Sequence, residues 1–126
     1  MSMLTPFKRA SGLGTTNDGV HHWWMQRLTA VALTPLTLWM VFAVAAHAGD
    51  DYASVAAWFA QPMTTTLLTL FVFTTFLHAA QGLTVIIEDY LHHEGAKFAA
   101  LIGMKLVLVL LGVSSTLSIL RVAFAG

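Results

Sequence analysis

The stretch FLHAAQGLTVIIEDY, residues 76–90, is an apolar run with a histidine near its start and an aspartate and a tyrosine at its end. On one α-helix at about 100° per residue, four of its residues fall within about 60° of one another and form a stripe: His78, Gly82, Val85 and Asp89. His78 then lies about 16 Å from Asp89 along the axis. Gly82 has no side chain and leaves room beside the imidazole for a flat group, although close helix packing uses glycine in the same way. The stretch therefore predicts a helix whose stripe of residues is either a binding site or a chance arrangement.

Composition indicates that the chain lies in a membrane. Of its 126 residues 57% are hydrophobic and only 10% are charged, with a mean hydropathy of +0.75, whereas soluble domains carry about 25% charged residues. The formal net charge is zero, so no basic surface argues for binding to nucleic acid. The absence of cysteine excludes disulfides, iron–sulfur ligation and covalent haem attachment by this chain. Any haem would have to be held by histidine or methionine.

Three apolar segments are long enough to cross the hydrocarbon, which takes about 20 residues. They are residues 28–48, 63–87 and 99–120, and short loops connect them. A polar, glycine-rich arm, residues 1–19, precedes them and is expected to be loosely ordered or laid against a partner. The predicted fold class is an all-α membrane protein with three transmembrane helices, in a single membrane-anchor domain over residues 1–126.

The positive residues predict the orientation. Three of them precede the first span, none lies in the first loop, and two lie at or near the second loop: Lys8, Arg9, Arg27, Lys97 and Lys105. The positive-inside rule then puts the N-terminus and second loop in the cytoplasm and the C-terminus in the periplasm, although Arg121 points the other way. The expected location is a bacterial inner (plasma) membrane, or the mitochondrial inner membrane in a eukaryote.

His78 is expected about 15 Å below the inner surface, near the middle of a hydrocarbon core about 30 Å thick. A histidine there can be a ligand, or it can simply bond to a neighbouring helix. If it binds a haem iron, the second axial imidazole cannot be His47, because the depths of the two histidines differ by about 15 Å. The second ligand would then come from another chain, which argues for a heteromer.

Donors gather at the predicted inner surface. His21, Trp24 and Arg27 are spaced by threes and would form a slanting ladder on a helix, while Asp89 and Tyr90 end the second span nearby. Such a group suits an anion such as a propionate, or the carbonyl of a quinone. The simpler interpretation is that Arg27 and Asp89 only mark helix ends.

The runs GVHHWWMQRLTAVAL, residues 19–33, and FLHAAQGLTVIIEDYLH, residues 76–92, together resemble the smaller hydrophobic membrane-anchor subunit of succinate dehydrogenase, the D-type chain of respiratory complex II. The resemblance implies that His78 is an axial ligand of haem b, shared with a companion C-type anchor subunit. It implies that Tyr90 bonds to a ubiquinone carbonyl beside Asp89, and that Arg27 and His21 lie near the haem propionates and the quinone. Fumarate reductases share this architecture, so both directions of electron flow stay open.

The resemblance also implies partners. Electrons from succinate would come through a flavoprotein subunit with FAD and an iron–sulfur subunit, both docked on the inner face, in the tricarboxylic acid cycle and respiratory chain. This chain would not touch succinate. No role follows for His22, His92 or His93. Two other classes remain: a small transporter or proton channel that uses a midplane ionisable group, and a structural or assembly protein without haem.

Overall fold

The computed structural model describes residues 15–125 of the chain, and side chains from residue 19 onward. These residues form four helices: α1 (Thr15–His47), α2 (Tyr52–Phe59), α3 (Pro62–Tyr90) and α4 (Glu94–Ala125). The three long helices each contain a segment long and apolar enough to cross a membrane, over Gly19–His47, Pro62–Tyr90 and Glu94–Ala125. The prediction of an all-α protein with three membrane spans is confirmed.

The helices are longer than the apolar segments that predicted them. α1 begins at Thr15, so the last part of the predicted arm, residues 15–19, is helical, and residues 1–14 of that arm lie outside the described residues. At about 1.5 Å per residue, a helix of 33 residues is about 50 Å long and exceeds a hydrocarbon core of about 30 Å. Hydropathy marks the part of each helix that fits the hydrocarbon, whereas backbone hydrogen bonds continue the helix into the polar surface layer.

The first loop contains a short helix that the sequence analysis did not predict. Gly49, at φ +90°, ends the turn after α1 in a backbone conformation that favours glycine. Asp51 then caps α2, because its side chain accepts a hydrogen bond of 3.0 Å from the Ser54 amide. The His47 ring packs 4.4 Å from the Trp58 ring and bonds to Asp50 at 2.9 Å, which ties α2 to the end of α1.

α3 is the central helix, with α1 packed on it and α4 packed on it, while α2 contacts both α3 and α4. The bundle has two ends: the His47 end, where α1 finishes and α3 begins, and the Tyr90 end, where α3 finishes and α4 begins. The buried residues of α3 and α4 lie in the half of the bundle toward the His47 end, namely Thr64, Leu68, Thr74, Ile119 and Ala123. Many large apolar side chains point outward, Phe42 being 73% exposed, so they are available to lipid or partner chains.

A tight connection joins α3 to α4 at the Tyr90 end. The Leu91 amide still bonds to the Ile87 carbonyl, and α4 begins three residues later. His93 Nδ1 accepts a hydrogen bond of 3.1 Å from the Ala96 amide and so caps the start of α4. His93, which had no expected role, therefore has a structural one.

Candidate functional site

A cleft of about 450 Å³ opens between α1 and α3. The residues that line it belong to one face of α1 and to the stripe on α3 that the sequence predicted: Gly19, His22, Trp23, Gln26, Arg27, Ala30, His78 and Val85. The α1 residues follow the spacing of three and four that puts side chains on one side of a helix. The cleft therefore forms where two helix faces meet, and it contains both an imidazole and a guanidinium.

His78 is held from the opposite helix. Its Nδ1 lies 2.9 Å from the Thr29 hydroxyl oxygen, and Thr29 is only 5% exposed. The same hydroxyl lies 2.8 Å from the Met25 carbonyl and 3.0 Å from the Gln26 carbonyl. The bond to a neighbouring helix, which the sequence analysis considered as a structural role for His78, thus occurs through Nδ1. Within the described part of the chain Nε2 has no hydrogen-bond partner, so the same ring can also serve as a ligand.

Two polar atoms of residues that line the cleft are buried without partners among the described residues, namely His22 Nε2 and Gln26 Oε1. A buried polar atom without a hydrogen bond costs about 1–3 kcal/mol, so it usually indicates a missing water, ion or ligand. Both residues project from α1 toward the helix that carries His78. A ligand with polar edges would satisfy them.

Gly82 faces the same region. A β-carbon at this position would lie 3.9 Å from Gln26 Nε2, which is an ordinary contact. The approach of α1 to α3 therefore does not itself require glycine here. The absence of a side chain keeps space open one turn from His78, as a flat group beside the imidazole would need.

Arg27 is positioned by an aromatic ring. Its Cζ lies 5.4 Å from the centre of the Trp23 ring, within the range of a cation–π contact. Trp24 packs edge-on against Trp23 at 5.1 Å. The ion pairs of the described residues do not include one between Arg27 and Asp89. The N–H groups of the guanidinium are therefore not used by that carboxylate and can donate to a ligand.

The other predicted site residues lie outside the cleft lining. His21 and Trp24 are exposed on α1, and Asp89 is exposed near the end of α3. Tyr90 is 77% exposed. The structure brings His78, Gly82 and Arg27 toward one cleft, and it puts Asp89 and Tyr90 at the Tyr90 end of the same helix. The functional roles of all these predicted site residues stay predictions.

Sequence reasoning missed four residues of the site: His22, Trp23, Gln26 and Thr29. A usable signal was present, because Gly19, Trp23, Gln26 and Ala30 follow the i, i+4, i+7, i+11 spacing of one helix face. The spacing of three back from Arg27 instead selects His21 and Trp24, which lie outside the cleft lining. No comparable signal identified Thr29, since a threonine that bonds to its own helix looks the same in sequence as one that contacts another helix.

A larger groove, about 670 Å³, lies between α3 and α4 on the reverse side of α3 from His78. Its lining is apolar except for threonines and Lys105, and none of the predicted site residues belongs to it. The cavity lined by histidine and arginine side chains is therefore the smaller one, between α1 and α3.

A free metal ion has no complete site in the described ranges, since no group of three or more His, Cys, Asp or Glu residues comes together there. A single imidazole is enough for a haem, because the macrocycle supplies four nitrogens of its own. The donor set of the cleft fits such a group: an imidazole for the iron, a guanidinium for a carboxylate, and unpartnered polar atoms beside them.

The fold and the cleft define a multi-pass membrane protein of three spans, with large apolar faces open to association and one polar intramembrane cleft. The family model described as succinate dehydrogenase/fumarate reductase transmembrane subunit matches residues 1–112. This chain belongs to that family.

Curated relatives agree with the family match. The succinate dehydrogenase hydrophobic membrane anchor subunit of Paracoccus denitrificans is 35% identical over 102 residues, which cover 81% of this chain and 78% of the relative. The subunit of the same name from Rickettsia bellii is 30% identical over 81% of this chain and 82% of the relative. The succinate dehydrogenase membrane anchor subunit of Reclinomonas americana is 30% identical over 75% of this chain and 81% of the relative. The prediction of a succinate dehydrogenase anchor subunit is confirmed at this level.

Proposed function

We propose that this chain, together with a companion C-type anchor subunit, holds haem b in the α1–α3 cleft and forms part of a ubiquinone site at the Tyr90 end. The observation that carries the proposal is His78: an imidazole near the middle of the candidate span Pro62–Tyr90, in contact through Nδ1 with a buried hydroxyl, in a cleft that also contains Arg27. An ionisable residue within a membrane span is costly and is usually functional.

His78 is the residue of this chain that would bind the iron. When bound, the haem would supply reversible one-electron transfer. Arg27 would hold a propionate, because a planar guanidinium donates two parallel hydrogen bonds to a carboxylate. His22 and Gln26 would use their unpartnered atoms on the polar edge of the same group, and Gly82 would leave space for its face.

The second axial ligand would come from the companion subunit. His47 cannot supply it, because Thr29, which contacts His78, precedes His47 by 18 positions on α1, or about 27 Å. The open side of the cleft provides access for another chain. A haem shared in this way would also hold the two anchor subunits together.

The quinone site would lie where Asp89 and Tyr90 meet partner subunits. The Tyr90 phenol can donate to a quinone carbonyl and stabilise the negative charge that develops on its oxygen during reduction. Asp89, exposed beside it, can pass protons from water. Both side chains are exposed in the isolated chain. The rest of the quinone pocket would therefore be lined by the companion anchor and the iron–sulfur subunit.

The flavoprotein subunit with FAD would complete the path from succinate. The proposed orientation puts the Tyr90 end on the inner side of a bacterial plasma membrane, where these soluble subunits would dock. The chain itself contributes membrane attachment, one iron ligand and part of the quinone site, and it does not react with succinate.

The test is a reduced-minus-oxidised visible spectrum of the purified complex, comparing wild type with His78→Ala. We expect a b-type haem band that is lost, weakened or shifted in the variant, because the iron loses one axial ligand. His47→Ala is the matched control: it removes a histidine from the same membrane domain at the other end of α1, and the band should stay unchanged.

An unchanged haem band in His78→Ala, or the absence of a b-type band in the wild-type complex, would refute the haem assignment. The ratio of flavin to protein in each preparation serves as the assembly check. A variant that keeps its flavin but loses the haem band has an intact complex and a broken iron site.

A further inference from the structure

We propose that Thr29 is a positioning residue that holds His78 in the tautomer with its proton on Nδ1, so that the lone pair on Nε2 is the one offered to the iron. The inference rests on the proposed haem function and deepens it. It concerns a residue for which the sequence pattern indicated no role, in a contact between α1 and α3.

The assignment follows from counting protons. A threonine hydroxyl has one proton to donate and two lone pairs that can accept. The Met25 carbonyl at 2.8 Å and the Gln26 carbonyl at 3.0 Å can only accept, and both lie within reach of the hydroxyl proton. With that proton on one of these carbonyls, the contact of 2.9 Å with His78 Nδ1 is a bond in which Nδ1–H donates to the hydroxyl oxygen.

The other tautomer is disfavoured at this geometry. With the proton on Nε2, the lone pair of Nδ1 would face a lone pair of the hydroxyl oxygen unless the hydroxyl gave up its backbone acceptor. The Gln81 oxygen, 3.4 Å from the hydroxyl, is too distant to replace a backbone bond. A histidine that binds iron through Nε2 needs that nitrogen free of hydrogen, and the Thr29 contact selects this state before any metal arrives.

The position of Thr29 makes the contact rigid. The residue is 5% exposed, its β-branched side chain has few rotamers on a helix, and its bond to the preceding turn fixes the hydroxyl direction. Thr34, one and a half turns later on α1, makes the same kind of bond to its own helix, from its hydroxyl to the Ala30 carbonyl at 2.9 Å, but is exposed. The two threonines make the same bond to their own helix, but only Thr29 is buried and contacts a histidine of the neighbouring helix.

The experiment measures the haem midpoint potential, the electron paramagnetic resonance signal of the oxidised haem and the haem-to-flavin ratio in the assembled complex. In Thr29→Val, which keeps the shape and loses the hydroxyl, we expect the potential to rise. The imidazole loses the acceptor that makes it a stronger donor to oxidised iron. Loss of such outer contacts weakens metal binding about 10- to 100-fold, and we expect about tenfold weaker haem retention because a hydroxyl is a neutral acceptor.

Three further variants separate the hydroxyl from packing. Thr29→Ser keeps the hydroxyl and loses a methyl group, and its potential and signal should match wild type. Thr34→Val should also match, since its hydroxyl reaches no other helix. If Thr29→Val prevents assembly, Thr29→Ala compared with Thr29→Ser isolates the hydroxyl in the same way.

The outcomes distinguish this inference from the function on which it rests. If Thr29→Val and Thr29→Ala keep the wild-type potential and signal while His78→Ala loses the haem, the tautomer role is wrong and the haem ligand stands. A shift in Thr29→Ser equal to that in Thr29→Val would also overturn it, because the effect would then follow packing. If His78→Ala retains the haem band, the haem function itself fails.

Discussion

At the scale of single residues, the two tyrosines of the chain provide a natural comparison. Tyr52 and Tyr90 are both largely exposed, at 74% and 77%, and they lie at opposite ends of the bundle. Exposure alone therefore does not distinguish them. What distinguishes Tyr90 is its position beside Asp89, at the end of the helix that carries His78.

We predict that Tyr90→Phe lowers the rate of quinone reduction about tenfold or more while the haem spectrum stays unchanged. Removing one oriented donor to a developing oxyanion costs about 100- to 1000-fold in the best-studied case, and a second donor such as Arg27 would reduce that loss. The measurement is succinate-driven reduction of a short-chain ubiquinone by the purified complex. Tyr52→Phe, at the His47 end, is the control, and equal rates in wild type and Tyr90→Phe would remove Tyr90 from the quinone site.

His78 and Thr29 show how far residue types alone could lead. His78 was identifiable from the sequence because a histidine inside an apolar span is expensive and stands out. Thr29 was not, because its role depends on the rotation of α1 against α3. The same rotation brings His22 rather than His21 to the cleft lining. The sequence of α1 alone does not indicate how this helix is rotated against α3.

At the scale of elements, α2 depends on a charged cap. The pKa of Asp51 lies below its usual value because the carboxylate accepts hydrogen bonds from the Ser54 side chain and the Ser54 amide. A carboxyl group with a lowered pKa in the folded state contributes stability above its unfolded pKa, and this contribution is lost as the pH falls through the folded pKa. The cap of α2 should therefore weaken as the pH falls below the ordinary aspartate pKa of 3.8.

We predict that Asp51→Ala speeds amide hydrogen exchange in Tyr52–Phe59 at neutral pH, since the Ser54 amide loses its acceptor. Asp51→Asn should keep the cap, because asparagine is an equally good capping residue, and should remove its dependence on pH. Exchange rates corrected for the intrinsic rate at about pH 7 and about pH 3 test both statements. Asp50→Ala, which loses the His47 bond instead, is the neighbouring control; protection of α2 that does not change in Asp51→Ala would contradict the capping role.

The long helices could be predicted and the short one could not, for a physical reason. A membrane span is identified from the summed hydropathy of about 20 residues. Because the sum includes many side chains, a few polar residues do not change the prediction. α2 has eight residues, too few to be stable alone, and it forms because Asp51 caps it and Trp58 packs on His47. The start of α1 at Thr15 lay beyond the hydropathy signal, because backbone hydrogen bonds continue the helix into a polar stretch that hydropathy does not select.

At the scale of the whole molecule, the positive charges are unevenly distributed between the two ends. Arg27 and Lys97 lie toward the Tyr90 end, whereas residues 48–61, which join α1 to α3 at the His47 end, contain no lysine or arginine. Positive residues resist transfer across the membrane during insertion, so the Tyr90 end should remain on the cytoplasmic side. This orientation also determines which side the soluble subunits can reach, and therefore whether Tyr90 can belong to a site that they complete.

The chain is well suited to a direct test of this orientation, because it contains no cysteine and every introduced thiol is unique. His92→Cys, in the connection between α3 and α4, and Ala53→Cys, on α2, both replace exposed residues at opposite ends of the bundle. With a membrane-impermeant maleimide we predict that Ala53→Cys reacts in intact spheroplasts and His92→Cys reacts only in inside-out vesicles or after lysis. Detergent-solubilised samples should label at both positions, which controls for burial by partner subunits. The reverse pattern would put Tyr90 on the outer surface, away from any iron–sulfur subunit in the cytoplasm, and would refute the proposed quinone site together with the orientation.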